Sequence, residues 1–166
     1  MAKIDLSIII VSYNTKNFLE KCFESLQIKP NYEVIVIDNG SVDGSVAMLK
    51  ELKEKSNQNI IIIEKQDNLG FAKANNLALK KAQGRLVLFL NPDTVLGKET
   101  LKTMISFMDK NPKVGAATCR VQLVNGKLDQ ACHRGFPTVW NSFTYFSGLE
   151  KLFPKSRVFA GYSLTY

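Results

Sequence analysis

Four short apolar runs punctuate this chain: residues 6–11 (LSIIIV), Tyr32–Asp38 (YEVIVID), Ile60–Glu64 (IIIIE) and Leu86–Leu90 (LVLFL). Each is short and almost wholly aliphatic, which predicts strands covered on both faces of a parallel sheet. Between them the apolar positions recur at helical spacing. Phe18, Leu19, Cys22, Phe23 and Leu26 predict a first helix, capped by Asn14 or Thr15 and ended by Pro30 and Asn31. Val46, Leu49 and Leu52 predict a second over residues 44–56, and residues 71–82 a third, closed by Gly84. Leu101, Met104, Ile105 and Met108 predict a fourth over residues 98–109. Strand and helix alternate throughout, so the predicted fold class is α/β: a mostly parallel sheet with helices on both faces.

The pattern changes after Pro112. Residues 114–124 and 127–130 flank Asn125-Gly126, which predicts a hairpin with a two-residue turn. Nine of the chain's sixteen aromatic residues then fall between Phe136 and Tyr166, with a helix predicted over residues 138–149. The division follows: an α/β core over residues 1–125, and a hairpin with an aromatic-rich segment over 126–166.

Composition narrows the partners. With 45% hydrophobic residues the chain can bury a substantial core. No apolar run approaches the length of a membrane-spanning helix, and MAKIDLSIII does not read as a signal peptide. Cys22, Cys119 and Cys132 are odd in number and widely spaced, which predicts reduced thiols in a cytoplasmic protein rather than a zinc site or disulfide framework. The net charge of +7 is uneven: residues 110–166 hold 8 Lys/Arg against 2 Asp/Glu. Such a segment suits phosphate-bearing partners, or is simply a solvated surface. A nucleic-acid binder would rest on that charge and scattered aromatics alone, and none is predicted.

The chemistry gathers where strands end. Ligands of open α/β sheets sit beyond the carboxyl ends of the strands. Two predicted strands run into carboxylates there, Asp38 in DNGSVDGS and Asp93 in NPDT. Asp38 can accept from a base N–H or a ribose hydroxyl. The same residue types also make an ordinary turn, with Ser41 or Asp43 as helix cap. Asp93 can supply an oxygen to Mg²⁺ or Mn²⁺, which substrate phosphates complete; Asn-Pro-Asp is equally good turn chemistry. Ser12, Tyr13 and Asn14 close the first strand with an aromatic face and two polar side chains. In NLGFAKANN, Gly70 permits close backbone approach, and Lys73 with a helix N-terminus can face an anion. The chain lacks GxGxxG after its first strand and any GxxxxGK[ST], which disfavours dinucleotide and P-loop chemistry. A lone His133 supports neither a Ser–His–Asp triad nor a histidine-rich metal site.

Taken in order, SIIIVSYNT, VIVIDNGSVDGS, DNLGFAKANNLALKKAQG and LVLFLNPDT resemble the nucleotide-binding half of a GT-A, family 2-like glycosyltransferase. NPDT most resembles the rhamnosyltransferase branch. The resemblance implies inverting transfer of a sugar, rhamnose among the choices, from a UDP- or dTDP-linked donor to a glycan or lipid-linked acceptor. It implies that Tyr13 stacks on the base, that Asp38 contacts the pyrimidine, and that Gly70, Lys73 and Asn75 belong to a segment closing over the nucleotide. Asn91 and Asp93 stand where the family has a DxD motif; with Asn91 in its first acidic position, only Asp93 carries over as metal ligand. No acid after Asp109 stands in a motif matching the family's general base. The chain is therefore expected to be a weakly active or inactive fragment, cytoplasmic or peripheral at the inner membrane face. The alternatives are a non-catalytic nucleotide-binding module, a nucleotidyltransferase, and, for the tail, a membrane-surface segment.

Overall fold

The computed structural model describes residues 4–29, 31–129, 132 and 134–164. Expectations resting on Pro30, Gln130, His133 and Tyr166 lie outside these residues. The chain forms two compact units, one running to Ile105 and one from Ser106.

In the first unit the apolar runs become β1 (Leu6–Ser12), β2 (Tyr32–Asp38), β3 (Ile60–Glu64) and β4 (Leu86–Leu90). They alternate with α1 (Lys16–Ser25), α2 (Ser45–Lys55), α3 (Phe71–Leu79) and α4 (Thr100–Lys110), the last of which runs across the division between the units. The sheet is wholly parallel, in the order β3-β2-β1-β4. The two inner strands explain the unbroken apolar runs: alternate residues of each enter a core on either side. Ile8, Ile10, Val34 and Val36 pack with Leu19, Cys22, Phe23 and Leu49 of α1 and α2, and with Leu101 and Ile105 of α4. Ile9, Ile35 and Ile37 pack with Ala74 and Ala78 of α3. Strand β4 is an edge, and its Val87 and Phe89, in register with Ser7 and Ile9, remain exposed.

Several expectations are corrected. Phe18 is exposed rather than part of the α1 face, while Met48 of α2 is buried. Neither Asn14 nor Thr15 caps α1 with its side chain; the Lys16 N–H donates instead to Asp43 Oδ2 at 2.8 Å. The α3 helix stops at Leu79, and Gly84 does not close it. A Cβ on Gly84 would lie 2.4 Å from Ser7 N and 2.7 Å from Leu6 C, so this glycine serves the close approach of the chain to β1.

That approach belongs to a buried polar cluster at the amino end of the sheet. Glu33, second residue of β2, is 1% exposed. Its Oε1 accepts from the Ser7 hydroxyl at 2.5 Å and the Gln83 N–H at 2.6 Å, while the Gly84 N–H donates to Ser7 Oγ at 2.8 Å.

In the second unit the predicted hairpin shrinks to one bridge, Gln122 with Leu128. The turn is closed by the Gly126 N–H donating to Leu123 O at 2.8 Å, with Gly126 at φ +78°. Asn125 keeps a negative φ, so Asn-Gly here builds a longer loop ending in a left-handed glycine instead of a two-residue turn. The predicted helix divides into α5 (Val139–Phe146) and α6 (Leu149–Leu152). Thr138 Oγ1 accepts from the Asn141 N–H at 3.2 Å, capping α5.

Candidate functional site

Because the strands are parallel, every strand-to-helix loop of the first unit leaves from one edge. The strand order reverses between β1 and β4, and that switch point is where open α/β sheets hold ligands. Ser12, Tyr13 and Asn14 follow β1, on one side of the switch, and Asn91 and Asp93 follow β4 on the other. Asp38 ends β2 beside Ser12. Asp38 and Asp93 therefore share an edge, on either side of β1; the strands that lead to them, β2 and β4, lie two inter-strand spacings, about 10 Å, apart.

Three of the four loops are tied together. The Asn14 N–H donates to Ser41 Oγ and Asn14 Oδ1 accepts from the Val42 N–H, each at 2.8 Å, which holds Asn14 at φ +52°. Asp43 joins the same two loops through Lys16, and also accepts from the Ser45 N–H and hydroxyl. Desolvation opposes ionisation of Asp43, yet these hydrogen bonds hold its carboxyl below the usual carboxylate range. Asn39 Nδ2 donates to Asn68 Oδ1 at 3.2 Å, and the Gly70 N–H donates to the same oxygen at 2.9 Å. That links the loops after β2 and β3. Gly70 adopts φ 75°, ψ 165°, a backbone region that glycine alone visits without strain.

Asp38 has a different first duty from the one expected of a free acceptor. Its side chain is 1% exposed. Oδ1 accepts from the Gly40 and Ser41 N–H groups at 3.1 and 2.8 Å, and Oδ2 from the Ser41 hydroxyl at 2.6 Å. A carboxylate offers about four acceptor positions, so one remains. Asn75 is likewise engaged: it is buried, and its Nδ2 donates to Phe71 O within α3. The Ser12 hydroxyl is buried against Thr15 Oγ1 at 3.0 Å. These three shape the rim rather than line it.

Other expected residues are open. Tyr13 is 48% exposed, and Lys73 is exposed on the first turn of α3. Asn91 and Asp93 are exposed beyond β4. No hydrogen bond or ion pair among the described residues holds the Asp93 carboxylate. Cys22 lies beneath this segment, with Sγ 3.9 Å from Asn91 O. Burial, reinforced by the charge of Asp93, pushes its thiol up to about 11. No group of three His, Cys, Asp or Glu among the described residues is placed to hold a metal. Mg²⁺ and Mn²⁺ need no such cage when substrate phosphates complete their shell, so one open carboxylate at the switch point fits that role.

Two rim residues gain a part that the sequence reading did not single out, Phe71 inside the segment expected to close over the nucleotide and Asn39 beside Asp38. Phe71 is 63% exposed at the start of α3, giving the edge a second open aromatic face. Asn39 is buried and its Oδ1 has no hydrogen-bond partner among the described residues. A buried orphan acceptor is uncommon, and nothing in the DNGS pattern marks its second residue for one.

The model of the family described as Glycosyl transferase family 2 matches residues 7–165. The chain belongs to that family. The nucleotidyltransferase alternative falls with this assignment. Among curated relatives, the putative teichuronic acid biosynthesis glycosyltransferase TuaG of Bacillus subtilis is 36% identical over 62% of this family-2 chain and 41% of its own length. Among solved structures, Staphylococcus aureus TarS 1-349 in complex with UDP-GlcNAc matches at TM-score 0.59 and 25% identity. That match covers 74% of this chain and 41% of the other. The Pyrobaculum calidifontis mannosyltransferase in complex with GDP-Man and Mn²⁺ matches at TM-score 0.65 and 25% identity, over 71% of this chain and 35% of the other. The chain thus spans less than half the length of each of these proteins.

Proposed function

We propose that this chain forms the donor-binding part of a glycosyltransferase that moves a sugar from a nucleoside diphosphate to an acceptor hydroxyl, with inversion. The observation that carries the proposal is the exposed Asp93 carboxylate, unpaired among the described residues, across the switch point from the half-exposed Tyr13 ring. Structural neighbours solved in complex with UDP-GlcNAc and with GDP-Man and Mn²⁺ support it. The NPDT resemblance favours a dTDP-linked rhamnose among the donors.

In this reading Tyr13 stacks on the base. Its neighbour Asn14, pinned to Ser41 and Val42, fixes the loop that carries the ring. Gly70 and Lys73 meet the diphosphate, the first through close backbone approach and the second through charge. Asp93 supplies one hard oxygen to a divalent cation, which when bound would offset charge on the leaving diphosphate. Asp38 acts through the turn it builds. Glu150 is not assigned as general base, because it is buried and accepts from the Ser163 N–H.

Calorimetry of UDP, dTDP and GDP, with Mn²⁺ or with chelator, tests this. Asp93→Ala is expected to lower diphosphate affinity at least about tenfold in Mn²⁺ and to change nothing in chelator. Asp38→Asn keeps an oxygen for the Gly40 and Ser41 amides and is expected to leave affinity unchanged. Equal Mn²⁺-supported binding by Asp93→Ala and the parent sinks the cation role. Absence of binding by the parent sinks the proposal itself.

A further inference from the structure

Helix α5 turns an apolar side to solvent. Val139, Phe143 and Phe146 recur at i, i+4 and i+7 and so form one stripe, and they are 91%, 55% and 85% exposed. Thr144 is the residue of α5 that is buried. Leu152 at the end of α6 and Phe153 after it are exposed apolar side chains as well. The surface is firmly backed: Trp140 Nε1 donates to Val158 O at 2.8 Å, and the Trp140 ring packs on Phe143 and Phe159.

Charge says what covers it. From Gly135 to Leu164 the cations are Lys151, Lys155 and Arg157, all exposed. The one acid in that stretch, Glu150, is buried. A second copy meeting this face across a two-fold axis would bring like charges together. A bilayer bearing anionic headgroups meets both features: aromatic and aliphatic side chains enter the headgroup–acyl boundary, and lysines meet lipid phosphates.

We propose that the unit from Ser106 docks on an anionic bilayer through the Val139, Phe143 and Phe146 stripe, with Lys151 and Lys155 on the headgroups. This is independent of the donor chemistry in the first unit.

Co-sedimentation of the full chain with vesicles of phosphatidylcholine, alone or mixed equally with phosphatidylglycerol, provides the test. Binding is expected to the mixed vesicles, to weaken as salt rises, and to be near background on phosphatidylcholine. Phe143→Asp with Phe146→Asp, both at exposed positions, should abolish it while leaving the circular dichroism spectrum intact. Lys151→Ala with Lys155→Ala should weaken it roughly thirtyfold. Binding to neither vesicle, equal binding to both, or binding unchanged in either double variant overturns the proposal. So does sedimentation showing that the phenylalanine pair governs self-association and no lipid binding.

Discussion

Glu33→Ala is expected to cost about 4 kcal/mol of unfolding free energy, because it strands two buried donors, the Ser7 hydroxyl and the Gln83 N–H. Both now donate to one oxygen of a side chain that is almost wholly buried. Glu33→Gln keeps an oxygen of the same shape and loses only the charge assistance, so its expected cost is about 1–2 kcal/mol. The contrast isolates acceptor from charge. The single tryptophan, Trp140, lies outside the first unit, so urea unfolding should be followed by far-ultraviolet circular dichroism. Equal losses for the two substitutions would show that the charge, and not the acceptor, holds this end of the sheet.

Gly84→Ala acts on the same cluster from the other side. The added methyl would press on the backbone of β1, an inner strand, at distances no Cβ tolerates. The expected loss is about 3 kcal/mol, from overpacking and from displacing the Gly84 N–H off Ser7 Oγ. Gly84 has no left-handed φ, so steric room is the only demand. A urea midpoint equal to that of the parent would show that β1 yields to the methyl at no cost.

The strands were the most legible part of the sequence. Runs such as YEVIVID have one physical explanation, burial on both faces, and the structure reproduces Tyr32–Asp38, Ile60–Glu64 and Leu86–Leu90 as written. Glu33 was hidden inside one of those runs. Its partner Gln83 is fifty residues away, and local pattern carries no trace of that pairing. Gly84 was misread because a glycine after a helix and a glycine beneath a strand look alike in one dimension. At the candidate site, the shared edge was legible from the expected parallel sheet, whose strands all end on one side. The division of labour was not: Asp38 and Asp93 have identical chemistry, and only geometry separates the one bound to its own turn from the one left open.

The position of β4 at the margin of the sheet bears on how the molecule behaves in a test tube. Among the described residues no strand pairs with the outer flank of β4, and Val87 and Phe89 leave its surface greasy. A stray extended segment from another molecule finds there a ready template for cross-chain pairing. Concentrated stocks should scatter light before they lose helicity, and Phe89→Lys should delay the onset. Scattering that begins at the same concentration with lysine in place would locate the sticky surface elsewhere.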